Sequence, residues 1–136
     1  MHNGRVTQYA STDGAVYRLG YHLIWCPKYR RRVLVDGVDE RLKQLLLEKA
    51  AEHSWEVRAL EVMPDHVHVF VFALPKHPPS YIANQFKGYT SRVLRQEFSW
   101  LRSRLPTLWS RSYFVATVGN VSEATVQRYI AEQKTR

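Results

Sequence analysis

The stretch His66-Val67-His68-Val69-Phe70-Val71-Phe72-Ala73 constrains the fold more than any other part of this chain. Side chains alternate across a strand, so Val67, Val69 and Val71 share one face while His66 and His68 share the other. The valine face needs a layer of helices to bury it, which leaves the histidine face needing a purpose or a cover. A strand divided in this way belongs in a two-layer α+β architecture.

The flanking pattern supplies the rest of that architecture. Tyr17 to Cys26 reads as a strand, with Tyr17, Leu19, Tyr21, Leu23 and Trp25 alternating onto one face. Val38 to His53 reads as a helix whose apolar stripe is Leu42, Leu45, Leu46 and Ala50. Trp55 to Met63 is strand-like, and Met63-Pro64-Asp65 is a turn signal that joins it to the histidine strand as a hairpin. Pro75 to Pro79 reads as a loop and Ser80 to Phe98 as a helix with Ile82, Phe86, Tyr89 and Val93 on one side. Trp100 to Ser110 is irregular or a short helix broken at Pro106. Tyr113 to Val118 is a strand ended by Gly119-Asn120, and Ser122 caps a last helix that runs to about Lys134. The order β-α-β-β-α-β is ferredoxin-like: an antiparallel sheet with helices on one face, here with an added C-terminal helix. That helix is available to cover the second face.

The chain has 136 residues, 45% of them hydrophobic, which suits a single domain spanning 1–136. The polar segment 1–15 is expected to be flexible and lacks the apolar core of a signal peptide. No apolar run is long enough to span a bilayer, and Cys26, the single cysteine, rules out an intrachain disulfide. A cytoplasmic location follows as the expectation. The formal net charge of +8 attracts polyanions, although a merely solvated basic surface would carry the same charge.

Two imidazoles side by side on a rigid strand make two-thirds of a facial metal site. A hydrogen-bonded histidine pair on a partly exposed sheet is the alternative. Tyr129 and Gln133 are four apart and therefore stack on one face of the last helix, either to serve a site or to pack on the core. Asp65 reads first as a turn residue, with orientation of an imidazole as the other reading.

Taken together, the His-hydrophobic-His strand after Met63-Pro64-Asp65, the segment Tyr21-His22-Leu23-Ile24-Trp25-Cys26-Pro27-Lys28-Tyr29-Arg30 and the closing Tyr129-Ile130-x-x-Gln133 resemble the single-tyrosine transposases of bacterial insertion sequences. These TnpA-type enzymes belong to the HUH endonuclease superfamily, and the resemblance runs from about Tyr17 to Gln133. It implies a ferredoxin-like fold, a homodimer with active sites shared between protomers, and a DNA strand-transfer activity that works through a 5′-phosphotyrosine. It implies Tyr129 as the catalytic nucleophile and His66, His68 and Gln133 as ligands of a divalent metal, Mg²⁺ or Mn²⁺. It also implies single-stranded or hairpin DNA as the partner. Lys28, Arg30, Arg31 and Arg32, mixed with Tyr29, are candidate nucleic-acid contacts, as are Lys87 and Arg92 in the second long helix. Arg95, Arg102, Arg104, Trp109 and Arg111 extend that set. The alternatives are a repeat-associated tyrosine transposase acting on chromosomal palindromes, a replication initiator, and a non-catalytic ferredoxin-like nucleic-acid-binding module.

Overall fold

The computed structural model describes residues 10–12, 15–117 and 123–136. Most of the segment expected to be flexible lies outside the described residues. So do Val118, the Gly119-Asn120 turn and the Ser122 cap. A short ribbon pairs β1 (Ala10–Thr12) with β2 (Ala15–Tyr17). The main chain then runs β3 (Leu19–Trp25), a 3-10 turn (Lys28–Arg30), α1 (Val38–Glu52), β4 (Glu56–Met63), β5 (His66–Ala73), α2 (Pro79–Glu97), α3 (Ser99–Arg104), β6 (Phe114–Thr117), α4 (Glu123–Glu132) and a final 3-10 turn (Gln133–Thr135).

The four main strands lie in the order β4-β5-β3-β6, all antiparallel. This is the ferredoxin-like arrangement, with the histidine strand next to the centre. Leu23 and Trp25 of β3 join Val67, Val69 and Val71 of β5 on the face covered by α1 and α2. There they meet Leu42, Leu45, Leu46, Ile82 and Phe86. All three valines are fully buried, and each such burial contributes roughly 1.5–3 kcal/mol.

The second face has its own smaller cluster. Ile24, Cys26 and Ile130 are buried together, with Phe114, Val126 and Tyr129 packed around them. The C-terminal helix α4 therefore lies on the face opposite α1 and α2. Several boundaries differ from the sequence reading for local reasons. The first main strand begins at Leu19 because residues 15–17 pair with residues 10–12 instead; buried Arg18 separates the two and donates to the Ser54 carbonyl. Pro79 is the first residue of α2 rather than part of the loop, a position where its missing N–H costs nothing. The 100–110 region holds a real helix, α3, which stops where Leu105 is forced extended before Pro106. No helix among the described residues is long and apolar enough to cross a membrane.

Candidate active site

Strand register fixes the geometry. His68 stands opposite Ile24, and Ile24 stands opposite Phe114. Residues directly opposite share a face, so the histidines lie on the face that α4 covers. The Phe114 and Tyr129 rings sit 5.8 Å apart, centroid to centroid. Two strand spacings, roughly 10 Å, separate β5 from β6. Tyr129 and the histidine pair thus lie on one face of the sheet, on opposite sides of β3, with Ile24 and Cys26 packed beside Tyr129.

Each half of this face is separately organised. His66 Nδ1 lies 2.9 Å from Asp65 Oδ1. A carboxylate only accepts, so Nδ1 carries the hydrogen, and of the two ring nitrogens Nε2 is the one left to act as an acceptor in the neutral tautomer. The other Asp65 oxygen lies 3.4 Å from Arg30 Nε. His68 Nε2 meets His22 Nδ1 at 3.1 Å, and the His22 ring stacks on Phe70 at 4.2 Å. Burial lowers the His22 pKa, which favours a neutral ring in this pair. Both candidate metal ligands are therefore held by a neighbour, as metal-binding imidazoles usually are. The Asp65 reading is revised accordingly: it orients His66 rather than only forming the turn.

The opposite half is built around Ser112. Its hydroxyl shares a 3.1 Å hydrogen bond with the Tyr129 hydroxyl and donates at 2.9 Å to Gln133 Oε1. Ser110 donates to the same oxygen at 3.2 Å, and Gln133 Nε2 donates back to the Tyr129 carbonyl at 3.1 Å. Gln133 is fully buried, with its carboxamide turned into this cluster. Burial pushes the half-buried Tyr129 phenol up to about 12, the Ser112 hydrogen bond opposing. Tyr129 and Gln133 thus share a face, and His66 and His68 share another half of the same sheet surface. Among the described residues, no group of three or more His, Cys, Asp or Glu could hold an ion. A metal held by the two imidazoles would have to take its third ligand from another residue type, for which a carboxamide oxygen is chemically suited.

Arg30 ties the halves together. Besides Asp65, its Nη1 donates at 3.5 Å to the Ile130 carbonyl of α4. Tyr29 and Arg30 both adopt left-handed backbone angles, φ 58° and 53°. Such angles cost a non-glycine residue about 1–3 kcal/mol, and here they fold Arg30 back over the sheet end. Lys87 is also internal: its ammonium donates to the carbonyls of Ser110, Arg111 and Ser112 at 2.8, 3.2 and 3.0 Å. All three of its donors are used, so the expected nucleic-acid contact at Lys87 is corrected to a clip on the segment that seats Tyr129 and Gln133. Trp109 is likewise a core residue, its Nε1 donating to Thr90.

Of the other cations, Arg31, Arg32, Arg102, Arg104 and Arg111 are exposed, and Lys28 is half-exposed beside the Tyr29 ring. Arg92 is exposed near Tyr89 on the helical layer, away from the histidines. Arg95 donates to the Leu105 carbonyl. His22, Ser110 and Ser112 were not singled out in the sequence. Only His22 carried a signal, through its shared parity with Ile24, and that signal needs the β3–β5 register to be read.

Residues 15–133 match the family of IS200-like transposases. The chain is 41% identical over 122 residues to the ISDra2 transposase TnpA of Deinococcus radiodurans, covering 88% of this chain and 87% of that protein. It is 35% identical over 118 residues to the transposase for insertion sequence element IS200 of Salmonella typhimurium, covering 83% and 75%. A crystal structure of a Deinococcus radiodurans protein described as a transposase superposes with a TM-score of 0.81 at 40% identity, covering 93% of this chain and 99% of that one. A REP-associated tyrosine transposase bound to a REP hairpin shares the fold, with a TM-score of 0.58 at 13% identity over 90% and 64% of the two chains.

Proposed function

The chain belongs to the IS200-like transposase family, and from that premise we propose that it cuts and rejoins single-stranded DNA at hairpin-marked ends through a 5′-phosphotyrosine on Tyr129. The observation that supports this reading is the docking of α4 on the histidine-bearing face, so that Tyr129 and the imidazole pair share one surface of the sheet.

In the proposed step the Tyr129 oxygen forms a bond to the scissile phosphorus as the phenolic proton leaves. The bond to the 3′ oxygen breaks, releasing a 3′-hydroxyl. The phosphodiester energy is retained in the tyrosine ester, so a 3′-hydroxyl from another strand can reverse the reaction without ATP. A buried phenol near 12 is a poor nucleophile at neutral pH, so Tyr129 rests protonated until substrate arrives. His66, His68 and the Gln133 carboxamide oxygen would hold Mg²⁺ or Mn²⁺, which supplies charge stabilisation at the phosphate when bound. Asp65 keeps His66 in the tautomer that this requires. Gln133 must turn from Ser110 and Ser112 to take part, or be supplied by a second copy. We therefore also propose a homodimer in which the tyrosine helix of one protomer completes the histidine pair of its partner.

Lys28, Arg31, Arg32 and Arg92 are the proposed DNA contacts, with Arg30 and Lys87 acting by holding the site together. The 41% identity to an insertion-sequence transposase favours that role over the repeat-associated one, for which there is likeness of fold alone.

The test is incubation with Mn²⁺ and a labelled single strand carrying a hairpin, followed by denaturing electrophoresis. An SDS-stable adduct is expected, absent in Tyr129→Phe. His66→Ala should abolish the adduct while hairpin affinity changes less than about twofold. Binding with no adduct on any strand would leave only a nucleic-acid module.

A further inference from the structure

An open cleft of about 390 Å³ is lined by Lys28, Arg111, Arg136 and Ser112, the hydrogen-bond partner of the Tyr129 hydroxyl. We propose that this cleft is a phosphate subsite, which holds a backbone phosphodiester of the bound strand next to the one that Tyr129 attacks. The proposal rests on the single-strand transposase reading and adds a location to it.

Three observations point to an anion. Lys28, Arg111 and Arg136 converge here, and among the described residues none of the lining side chains is acidic. Like charges that converge repel one another, and a bound phosphate relieves that cost. The fourth lining residue, Ser112, is the group whose hydroxyl meets Tyr129 at 3.1 Å, so an anion in the cleft would lie against the nucleophile's own partner.

The floor is also rigid. Lys87 grips the three carbonyls of residues 110–112 from below. Lys28 N donates to the Leu108 carbonyl at 2.8 Å, and Ser110 N donates to the Cys26 carbonyl at 3.0 Å. These bonds lock the 27–28 turn to the 108–112 segment, fixing the spacing of Lys28 from Arg111. Solvated surface cations need no such scaffold.

The experiment measures binding of the full chain to a single-stranded oligonucleotide in which one linkage at a time is a neutral methylphosphonate. Arg111→Gln should weaken binding about threefold or more, and the salt slope should fall by about 0.7 for the lost contact. At one linkage, next to the cleavage position, neutralisation should weaken wild type more than it weakens Arg111→Gln, as a coupled pair requires, the remaining loss coming from Lys28 and Arg136. Lys28→Gln should single out the same linkage. Equal, additive losses at every linkage would overturn the subsite and reduce these residues to solvated cations or a site for free phosphate. Adduct formation by the same preparations separates the two readings. A Tyr129-dependent adduct without linkage coupling removes the subsite alone. Coupling without any adduct removes the transposase chemistry while the phosphate subsite stands.

Discussion

The phenol of Tyr129 is shielded by Phe114 and the Ile24–Cys26–Ile130 cluster and bonded to Ser112. Burial disfavours its charged form, so its pKa rises from 10.0 to about 12. The sign of the linkage follows. Below pH 10 the phenol is protonated in both folded and unfolded chains and contributes no pH dependence. Between about 10 and 12 the unfolded chain loses this proton first, so stability falls as pH rises through that window. Spectrophotometric titration at 295 nm should show that the wild-type minus Tyr129→Phe difference stays flat to pH 11 and rises near 12. A difference that rises near pH 10 would mean that the ring is solvated and that its packing has been misread. In the histidine half, Asp65 follows Met63-Pro64 and so has a local turn role that the sequence advertises, while its bond to His66 is not advertised. Its pairing with Arg30 depends on two consecutive left-handed residues, Tyr29 and Arg30, whose side chains give no hint of them.

Among the elements, β5 was legible almost to the residue, because a strand buried on one face and open on the other writes its period directly into the chain. The order of elements followed from the same logic, and the ferredoxin-like sheet with it. What could not be read was contact between distant segments. Ser112 sits before a short strand with nothing in its neighbours to mark it, and Lys87 looks like an ordinary helix cation. Its value comes from three carbonyls that lie 23 to 25 residues away. Lys87→Met should therefore cost about 1–3 kcal/mol, chiefly from the buried Ser110 carbonyl left without a donor, read by urea unfolding at pH 7. Burial pushes the Lys87 ammonium down to about 8, so it is mostly charged at neutral pH. In the unfolded chain it titrates near 10.4. Between those values the unfolded state holds more protons, so wild-type stability gains with pH relative to Lys87→Met. An unfolding difference that stays constant from pH 7.5 to 10 would show that Lys87 is not confined.

At the scale of the whole molecule, the two half-sites are each complete in their local bonding but are not yet one site. Gln133 spends its carboxamide on Ser110, Ser112 and its own helix, while Asp65 and His22 hold the histidines from the far side of Ile24. Among the described residues, α4 meets the sheet through the Ile24–Cys26–Ile130 cluster with Phe114, Val126 and Tyr129 around it, the Tyr129–Ser112 hydrogen bond, and a 3.5 Å bond from Arg30 to the Ile130 carbonyl. An α4 exchanged between copies would meet the same apolar patch and the same Ser112 partner in either arrangement. This makes sharing of the site between protomers testable without knowing which arrangement is resting. Tyr129→Phe retains the histidines and His66→Ala retains the tyrosine, so each alone should form no adduct. If the tyrosine of one protomer serves the histidines of its partner, a mixed dimer contains one intact site. Random mixing of equal amounts makes half of all dimers mixed, with one site in two intact, so adduct yield should recover to about a quarter of wild type. The adduct should sit on the His66→Ala chain, identified by a size tag. If every tyrosine serves its own protomer, neither chain of the mixed dimer carries a complete site. A mixture as inactive as its components, under conditions where chain exchange is verified by the same tag, would assign the site to a single protomer.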